Sequence, residues 1–389
     1  METVTIGIDL GATNTFACYM KKGKPTLCNF YGDIDGEKMP SLVYVEKDGS
    51  LTIGCAAESN GYVNPDHLIR FSPTYMGDPS KHYVMRGKSL TPTDVAAEIL
   101  CHVKTRLTNR LRKSDNDTAV KAVIAVPEYF SGIQEAEMKK AGECAGIEVV
   151  RIITEPMAAA VAAGWTKELK GKLLVVYIDD GSFSLSILEA DPPAENYKVI
   201  DTAVDRSLGG DDFDRTLCDY FLERLGEKTG MDFSTPDACG LDEIEYNILR
   251  WYHLKREAER TLTYMGDFSE LTEWEVCIPS LFTYKGSPYD FEIVVDREQL
   301  DEIFQSIYQK ISVKLENFLQ KSLFSIDMID SVIVVGDSRY ISHICAGAET
   351  LAHQQEVTQL DLTAFAVGAC IAGEHESGRY EWQNDDLVK

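Results

Sequence analysis

The sequence predicts an α/β protein built as a duplication: two lobes, each carrying a smaller capping subdomain. Three observations predict it. The first is a repeated hairpin. The run Val4-Thr5-Ile6-Gly7-Ile8 ends in Asp9, followed by Leu10-Gly11-Ala12-Thr13-Asn14-Thr15 and a second apolar run at 16–20. Near the middle, an apolar run at 173–178 meets Asp179-Asp180-Gly181-Ser182 before another at 183–188. Each reads as strand, acid, glycine-containing turn with a hydroxyl, and return strand. The second is a repeated order of elements. A short strand at 122–127 leads to a helix over 131–145, a strand over 148–154 and a small-residue helix over 157–164. Val332-Ile333-Val334-Val335-Gly336 opens a similar series, which closes on the small-residue stretch 362–373. Helices this rich in Ala and Gly pack closely on a sheet or on each other. The third is a pair of inserts at 38–90 and 211–296, the latter with helical patterns at 213–228 and 241–262 and a strand at 275–278. The expected lobes are 1–165 and 166–380, with 381–389 as a linker or tail.

Composition agrees and narrows the partners. At ~150 residues per domain the length makes two or three domains. The chain has 63 acidic against 38 basic residues, a net charge of −25. Such a surface repels phosphodiester backbones and anionic lipid, so neither nucleic acid nor membrane is an expected partner. A phosphate ligand must be held by backbone amides, a few side chains and a divalent cation. The ten cysteines form no C-x-x-C pair and the seven histidines do not cluster with them, against a zinc site. A chain of this size needs no disulfide framework. Met1 leads almost directly into a strand, leaving no room for a signal peptide, and no apolar stretch reaches the ~20 residues of a membrane helix. The expectation is a reduced, cytoplasmic, monomeric protein.

The segment Ile6-Gly7-Ile8-Asp9-Leu10-Gly11-Ala12-Thr13-Asn14-Thr15 resembles the first phosphate loop of the heat-shock 70 kDa chaperone family, in the actin-like ATPase superfamily. Four further segments fit in order: 123–130 (VIAVPEYF), 150–160 (VRIITEPMAAA), 207–214 (SLGGDDFD) and 332–338 (VIVVGDS). The resemblance runs over residues 4–373. It implies an actin-like (ribonuclease H-like) ATPase fold with a nucleotide cleft between the lobes, binding ATP or ADP with Mg²⁺. Hydrolysis would be slow, with the nucleotide state controlling lobe closure and a linked peptide-binding domain. Co-chaperones and nucleotide-exchange factors are the implied partners, and a stress response the implied setting.

The residues can take those roles physically. Gly11 is expected to turn with positive φ, aiming the amides of Gly11, Ala12, Thr13 and Asn14 at β- and γ-phosphate oxygens. Thr13 adds a hydroxyl, and Asp9 at the strand end is placed to hold hydrated Mg²⁺. The resemblance implies that Glu155 orients the attacking or metal-bound water; alternatively Asp9 and Glu155 cap local amides. Asp180, Gly181 and Ser182 would complete the phosphate site, and Gly209 and Gly210 would let backbone approach from the second lobe. Arg256, Glu259 and Arg260, at i, i+3 and i+4, share one helix face. They fall where the family clamps adenine and ribose, with Thr263 beside them and Arg260 as the stacking guanidinium. The alternative is a solvated ion-paired face. Gly336, Asp337 and Ser338, with Arg339 and Tyr340 beyond, fall against the adenosine. Arg151 and Pro127 match the family's interdomain relay, or pack locally.

Departures concentrate at the chemistry. The run Ile69-Arg70-Phe71-Ser72-Pro73-Thr74-Tyr75-Met76-Gly77 stands where the family has its catalytic lysine; it contains none, and Arg70 is the only nearby cation. The family's second loop, an aspartate then three glycines, reads Tyr177-Ile178-Asp179-Asp180-Gly181-Ser182-Phe183-Ser184. Aligned without a gap, Tyr177 takes the catalytic position and Ser184 that of another metal-associated aspartate. With a two-residue deletion, Asp179 supplies the catalytic carboxylate and a second metal contact through water. The second register is preferred, because it aims an acid into the cleft. Arg256 and Glu259 reverse the family's charge order, and Asp337 replaces a glycine. Extra carboxylates beside phosphates repel them unless Mg²⁺ or a proton intervenes, and a lost lysine costs orders of magnitude in rate. Three functions remain: an ATP-binding domain with slow or divergent Mg²⁺-dependent ATPase activity, a non-hydrolysing or nucleotide-free interaction module, and a small-molecule kinase of the same superfamily. Asp386-Leu387-Val388-Lys389 stands where the family's interdomain linker begins.

Overall fold

The computed structural model describes residues 2–32, 36–111, 118–165, 167, 169–191, 196–349 and 355–374. The linker expected at 381–389 lies outside them. The chain divides into two compact units, one of residues 1–173, 188–200 and 362–389, the other of 174–187 and 201–361.

The first unit is built on a mixed sheet in the order Glu148–Thr154, Thr118–Val126, Glu2–Leu10, Asn14–Lys21, Lys24–Leu27, with Met39–Pro40 also paired to Asn14–Lys21. The first three strands run parallel, with Asp9 level with Ala125 and Val126 level with Thr154. Strand Glu2–Leu10 alternates faces, as its period of two requires. Ile6 and Ile8 enter a core completed by helices Pro92–Arg110 and Gly132–Cys144. Both helices begin with a capping box, Thr91 with Asp94 and Ser131 with Gln134. On the opposite face, Gly7 and its neighbour Cys18 meet helix Ala364–Glu374. That helix also lies against the small-residue helix Glu155–Gly164, with Gly368 on Ala158. The sheet is thus covered on both faces. The first insert carries the helix Cys55–Val63 and short strands, Val43–Val45, Leu51–Ile53 and Leu68–Ile69 in one sheet and Tyr83–Met85 with Lys88–Leu90 in another.

A second sheet, with most of its residues in the second unit, has the order Asn196–Asp205, Phe183–Asp191, Gly171–Ile178, Ser331–Gly336, Glu356–Leu360. Leu174, Val176 and Ile178 face the same core as Val332 and Val334. Helices Gly210–Thr229, Lys255–Asp267 and Arg297–Lys321 close it with Phe213, Leu262 and Phe304 among others. The strand expected at 275–278 is the longer Glu273–Tyr284, paired antiparallel with Ser287–Asp296. The helix expected over 241–262 is not continuous. Helix Glu243–Asn247 passes into a π-helical stretch, Ile248–Leu254, before Lys255–Asp267. The two buried residues of that stretch, Leu249 and Leu254, stand five apart, the spacing of i→i+5 bonding. No helix among the described residues is long and apolar enough to cross a membrane.

Candidate functional site

In the first unit, the turn between Glu2–Leu10 and Asn14–Lys21 consists of Gly11, Ala12 and Thr13. The Gly11 amide donates to the Asn14 carbonyl at 3.0 Å. Gly11 does not take the positive φ expected of it. What the turn demands is the missing Cβ, which would lie 2.7 Å from the Asn14 carbonyl oxygen. The Thr13 carbonyl accepts from the Ser41 amide at 2.8 Å, and Ser41 Oγ lies 2.9 Å from Thr15 Oγ1, binding the first insert to the turn. Asn14 pairs with Pro40 and Thr15 with Met39.

That pairing brings up a residue the sequence reading passed over. Met39 is buried, while Lys38 beside it is exposed and lines a cavity of about 450 Å³ with Ala12, Thr13, Asn14, Arg70 and Glu58. Two cations therefore share a cavity with the turn, where only Arg70 was expected. Asp9 is buried near the end of its strand, and Glu155 opens helix Glu155–Gly164 directly after strand Glu148–Thr154. Glu128, two residues past the end of Thr118–Val126, comes off the same edge of the parallel strands. Burial raises its carboxyl above the usual range, opposed by the nearby Thr154 hydroxyl. Its signal in the sequence was its place just beyond a strand end. Among the described residues no three His, Cys, Asp or Glu side chains gather as a metal cage. Mg²⁺ commonly uses one or two carboxylates with phosphate and water oxygens, a set to which Asp9 can contribute.

In the second unit, the loop after Gly171–Ile178 is closed by its own acid. Asp179 Oδ1 accepts from the Gly181 amide at 2.8 Å and the Ser182 amide at 2.5 Å, and the Asp179 amide donates to the Ser182 carbonyl at 3.0 Å. One Asp179 oxygen thus folds back on the loop, where the sequence reading aimed the carboxylate into a cleft. Burial pushes its pKa up, while these amide bonds pull it down. Tyr177 is half-buried within the preceding strand. The Gly210 and Asp211 amides donate to the Asp179 and Asp180 carbonyls at 2.7 and 2.8 Å. A Cβ on Gly209 would meet the Asp180 carbonyl oxygen at 2.7 Å, so this approach requires glycine. Asp179→Ala is expected to lower stability by ~1–2 kcal/mol through the orphaned amides. Asp179→Asn, which keeps an acceptor oxygen, should stay within ~0.5 kcal/mol of wild type in urea unfolding; equal losses would refute the turn-closing role.

The turn after Ser331–Gly336 carries Asp337, Ser338 and Arg339. Arg339 donates to Asp180 at 2.8 Å and Asp337 at 3.0 Å, and approaches Asp214 at 3.4 Å. Asp180 of the second loop and Asp337, which replaces a glycine, are therefore both paired with a cation. Tyr340, expected to face a nucleotide, has 0% of its surface exposed. Its ring fills the space left by the absent Cβ of Gly210, at 2.1 Å, and its hydroxyl donates to Asp214 Oδ2 at 2.7 Å. The Ser338 carbonyl presses on Gly266.

Helix Lys255–Asp267 presents Arg256, Glu259, Arg260 and Thr263. Glu259 bonds Lys255 at 2.8 Å, and Lys255 also reaches Asp211 at 2.8 Å. Thr263 Oγ1 donates back to the Glu259 carbonyl. Arg260 lies 5.6 Å over the ring of Tyr264 and 3.7 Å from Glu257, and Tyr264 stacks on Trp274 at 4.4 Å and on Phe268 at 6.2 Å. Lys255, one turn before Glu259, is a further candidate that its place in the sequence did not single out.

A model of the Hsp70 protein family matches residues 74–388. The chain belongs to the Hsp70 family. The match begins after the first hairpin and takes in the 123–130, 150–160, 207–214 and 332–338 segments, the second loop and helix Lys255–Asp267. Membership implies an ATP-binding domain of chaperone type, and the mixed α/β architecture is that of the Hsp70 actin-like ATPase fold. The family typically binds ATP or ADP with Mg²⁺.

Proposed function

We propose that this Hsp70-family chain binds ATP or ADP with Mg²⁺ and hydrolyses ATP slowly, its nucleotide state rather than rapid turnover carrying the signal to a linked peptide-binding domain or partner. The observation that carries the reading is the cavity in which Ala12, Thr13 and Asn14 meet two cations, Lys38 and Arg70. In a chain of net charge −25, two cations against the single carboxylate, Glu58, that lines the same cavity favour polyanion binding. Asp9 is assigned to the hydrated Mg²⁺, which would supply charge neutralisation, and Glu155 to the attacking water. The turn is assigned the phosphates, and the Arg256–Glu259–Arg260 face with Thr263, Gly336 and Ser338 the adenosine. Slow chemistry follows from the second loop. Its Gly181 and Ser182 amides already bond Asp179, so they are not preset for developing charge on a transferring phosphoryl group.

A second reading, an interaction module that needs no nucleotide, is favoured by the Arg339 pairs, which hold the second unit's loops without a ligand. Calorimetry with ATP and ADP, with and without Mg²⁺, followed by single-turnover hydrolysis, separates the two. Mg²⁺-dependent binding with turnover far below one per second is expected. No binding at millimolar nucleotide would overturn the first reading and leave the second. Asp9→Asn is expected to lose most of the Mg²⁺ dependence; an unchanged variant would remove Asp9 from the metal.

A further inference from the structure

We propose that Arg339 is a latch that keeps three segments of the second unit assembled with no nucleotide present. The segments are the loop 179–182, the first turns of helix Gly210–Thr229, and the turn after strand Ser331–Gly336. This goes beyond nucleotide binding and does not depend on it.

The guanidinium reaches one carboxylate on each segment. Its terminal nitrogens contact Asp180 Oδ1 at 2.8 Å and Asp214 Oδ2 at 3.4 Å, and its Nε contacts Asp337 Oδ1 at 3.0 Å. A planar group with five donors can serve several acceptors at once, which an ammonium on a flexible stem does less well. The Arg339 side chain is 14% exposed, against 3% for Asp214, 13% for Asp337 and 39% for Asp180, so solvent screens the Asp214 and Asp337 contacts weakly and the Asp180 contact more. Removing the cation takes that shared partner from all three acids, leaving the Tyr340 hydroxyl on Asp214, and loosens the junction. The backbone makes the arrangement a junction rather than a set of surface pairs. Helix Gly210–Thr229 docks on the loop through the Gly210 and Asp211 amides, and Tyr340 anchors the third segment on Asp214 and in the space above Gly210. Asp180 and Asp214, on the other two segments, therefore act as the arms of the latch, and Asp337 orients the guanidinium from its own turn.

Hydrogen–deuterium exchange on the full chain tests this without nucleotide. Arg339→Gln is expected to speed exchange at 179–182 and 209–214 by about tenfold or more, the size of a lost charged contact. The hairpin Glu273–Tyr284 with Ser287–Asp296 should exchange as in wild type. Arg339→Lys should fall between, because it keeps the charge and loses the fork. Asp180→Asn, a milder change, should release 179–182 and leave the turn at 337–339 protected. Unchanged exchange at 179–182 in both Arg339→Gln and Asp180→Asn would overturn the latch, as would a uniform rise across the second unit. Should Arg339→Gln not fold, Asp180→Asn decides by the same criterion. Adding Mg²⁺-ADP to wild type should alter exchange at these segments by less than about twofold. Tenfold slowing by ADP would show that the nucleotide, not Arg339, holds them. Absence of ADP binding would overturn the proposed nucleotide function and leave the latch standing.

Discussion

Gly7→Ala and Gly368→Ala are each expected to destabilise the first unit by about 3 kcal/mol or more, the upper range for overpacking a core. A Cβ on Gly7 would lie 2.1 Å from the Cys370 amide nitrogen and 2.2 Å from the Ala366 carbonyl oxygen. On Gly368 it would lie 1.9 Å from the Ala158 carbonyl oxygen. These obstacles are helix backbone, not the ends of side chains that could rotate away. Relief requires helix Ala364–Glu374 to lift from strand Glu2–Leu10 or from helix Glu155–Gly164, uncovering one face of the sheet. Against a typical total of ~5–15 kcal/mol, either change approaches the limit of foldability. Gly132→Ala is the control, with nothing within 4 Å of the new methyl group. Urea midpoints that do not separate Gly7→Ala from Gly132→Ala would contradict the packing argument.

Asp214→Asn is expected to remove a large pH dependence from the second unit. Asp214 is 2% exposed, and its Oδ1 has no hydrogen-bond partner. Burial pushes its pKa up to about 7, opposed by Arg339, by the Tyr340 hydroxyl and by Lys255, and assisted by Glu259. A carboxyl raised in the folded state holds a proton that the unfolded chain has released. Its contribution to stability is therefore full below about pH 4 and is lost as pH rises toward 7, at up to ~1.4 kcal/mol per pH unit. His343 works in the opposite direction. Burial lowers it to about 4, so stability rises with pH from about 4 to 6.5 as the unfolded chain loses its extra proton. The two act in opposite directions over this range, and Asp214→Asn leaves the rise due to His343. Subtracting the two stability–pH curves isolates Asp214, with an expected difference of roughly 2–4 kcal/mol between pH 4 and 7. A flat difference curve would mean that Asp214 ionises normally.

The duplicated hairpin could be read because each half places an acid and a glycine between apolar runs. The runs at 4–9 and 173–178 are strands Glu2–Leu10 and Gly171–Ile178. The small-residue helices could be read because nothing but close packing calls for so much Ala and Gly. What escaped depends on partners far apart in the chain or on elements too short to show a period. Lys38 reaches the first turn through the two-residue strand Met39–Pro40. Arg339 meets Asp180 across 159 positions, so acids that looked unopposed in sequence have a cation beside them. Tyr340 reads as a site residue by its position, yet Gly210 opens a space into which its ring is drawn. The π-helical stretch escaped because its spacing of five lies outside the helical period used to find helices.

The stack of Arg260, Tyr264 and Trp274 gives the molecule an optical gauge of its own. Trp274 stacks on the Tyr264 ring that Arg260 approaches, so its emission is expected to respond when that contact changes. The chain has four tryptophans, and a version keeping only Trp274 would watch the candidate adenosine face of helix Lys255–Asp267 in real time. Any ligand that draws Arg260 aside would register as a change in colour or brightness, with no dye attached.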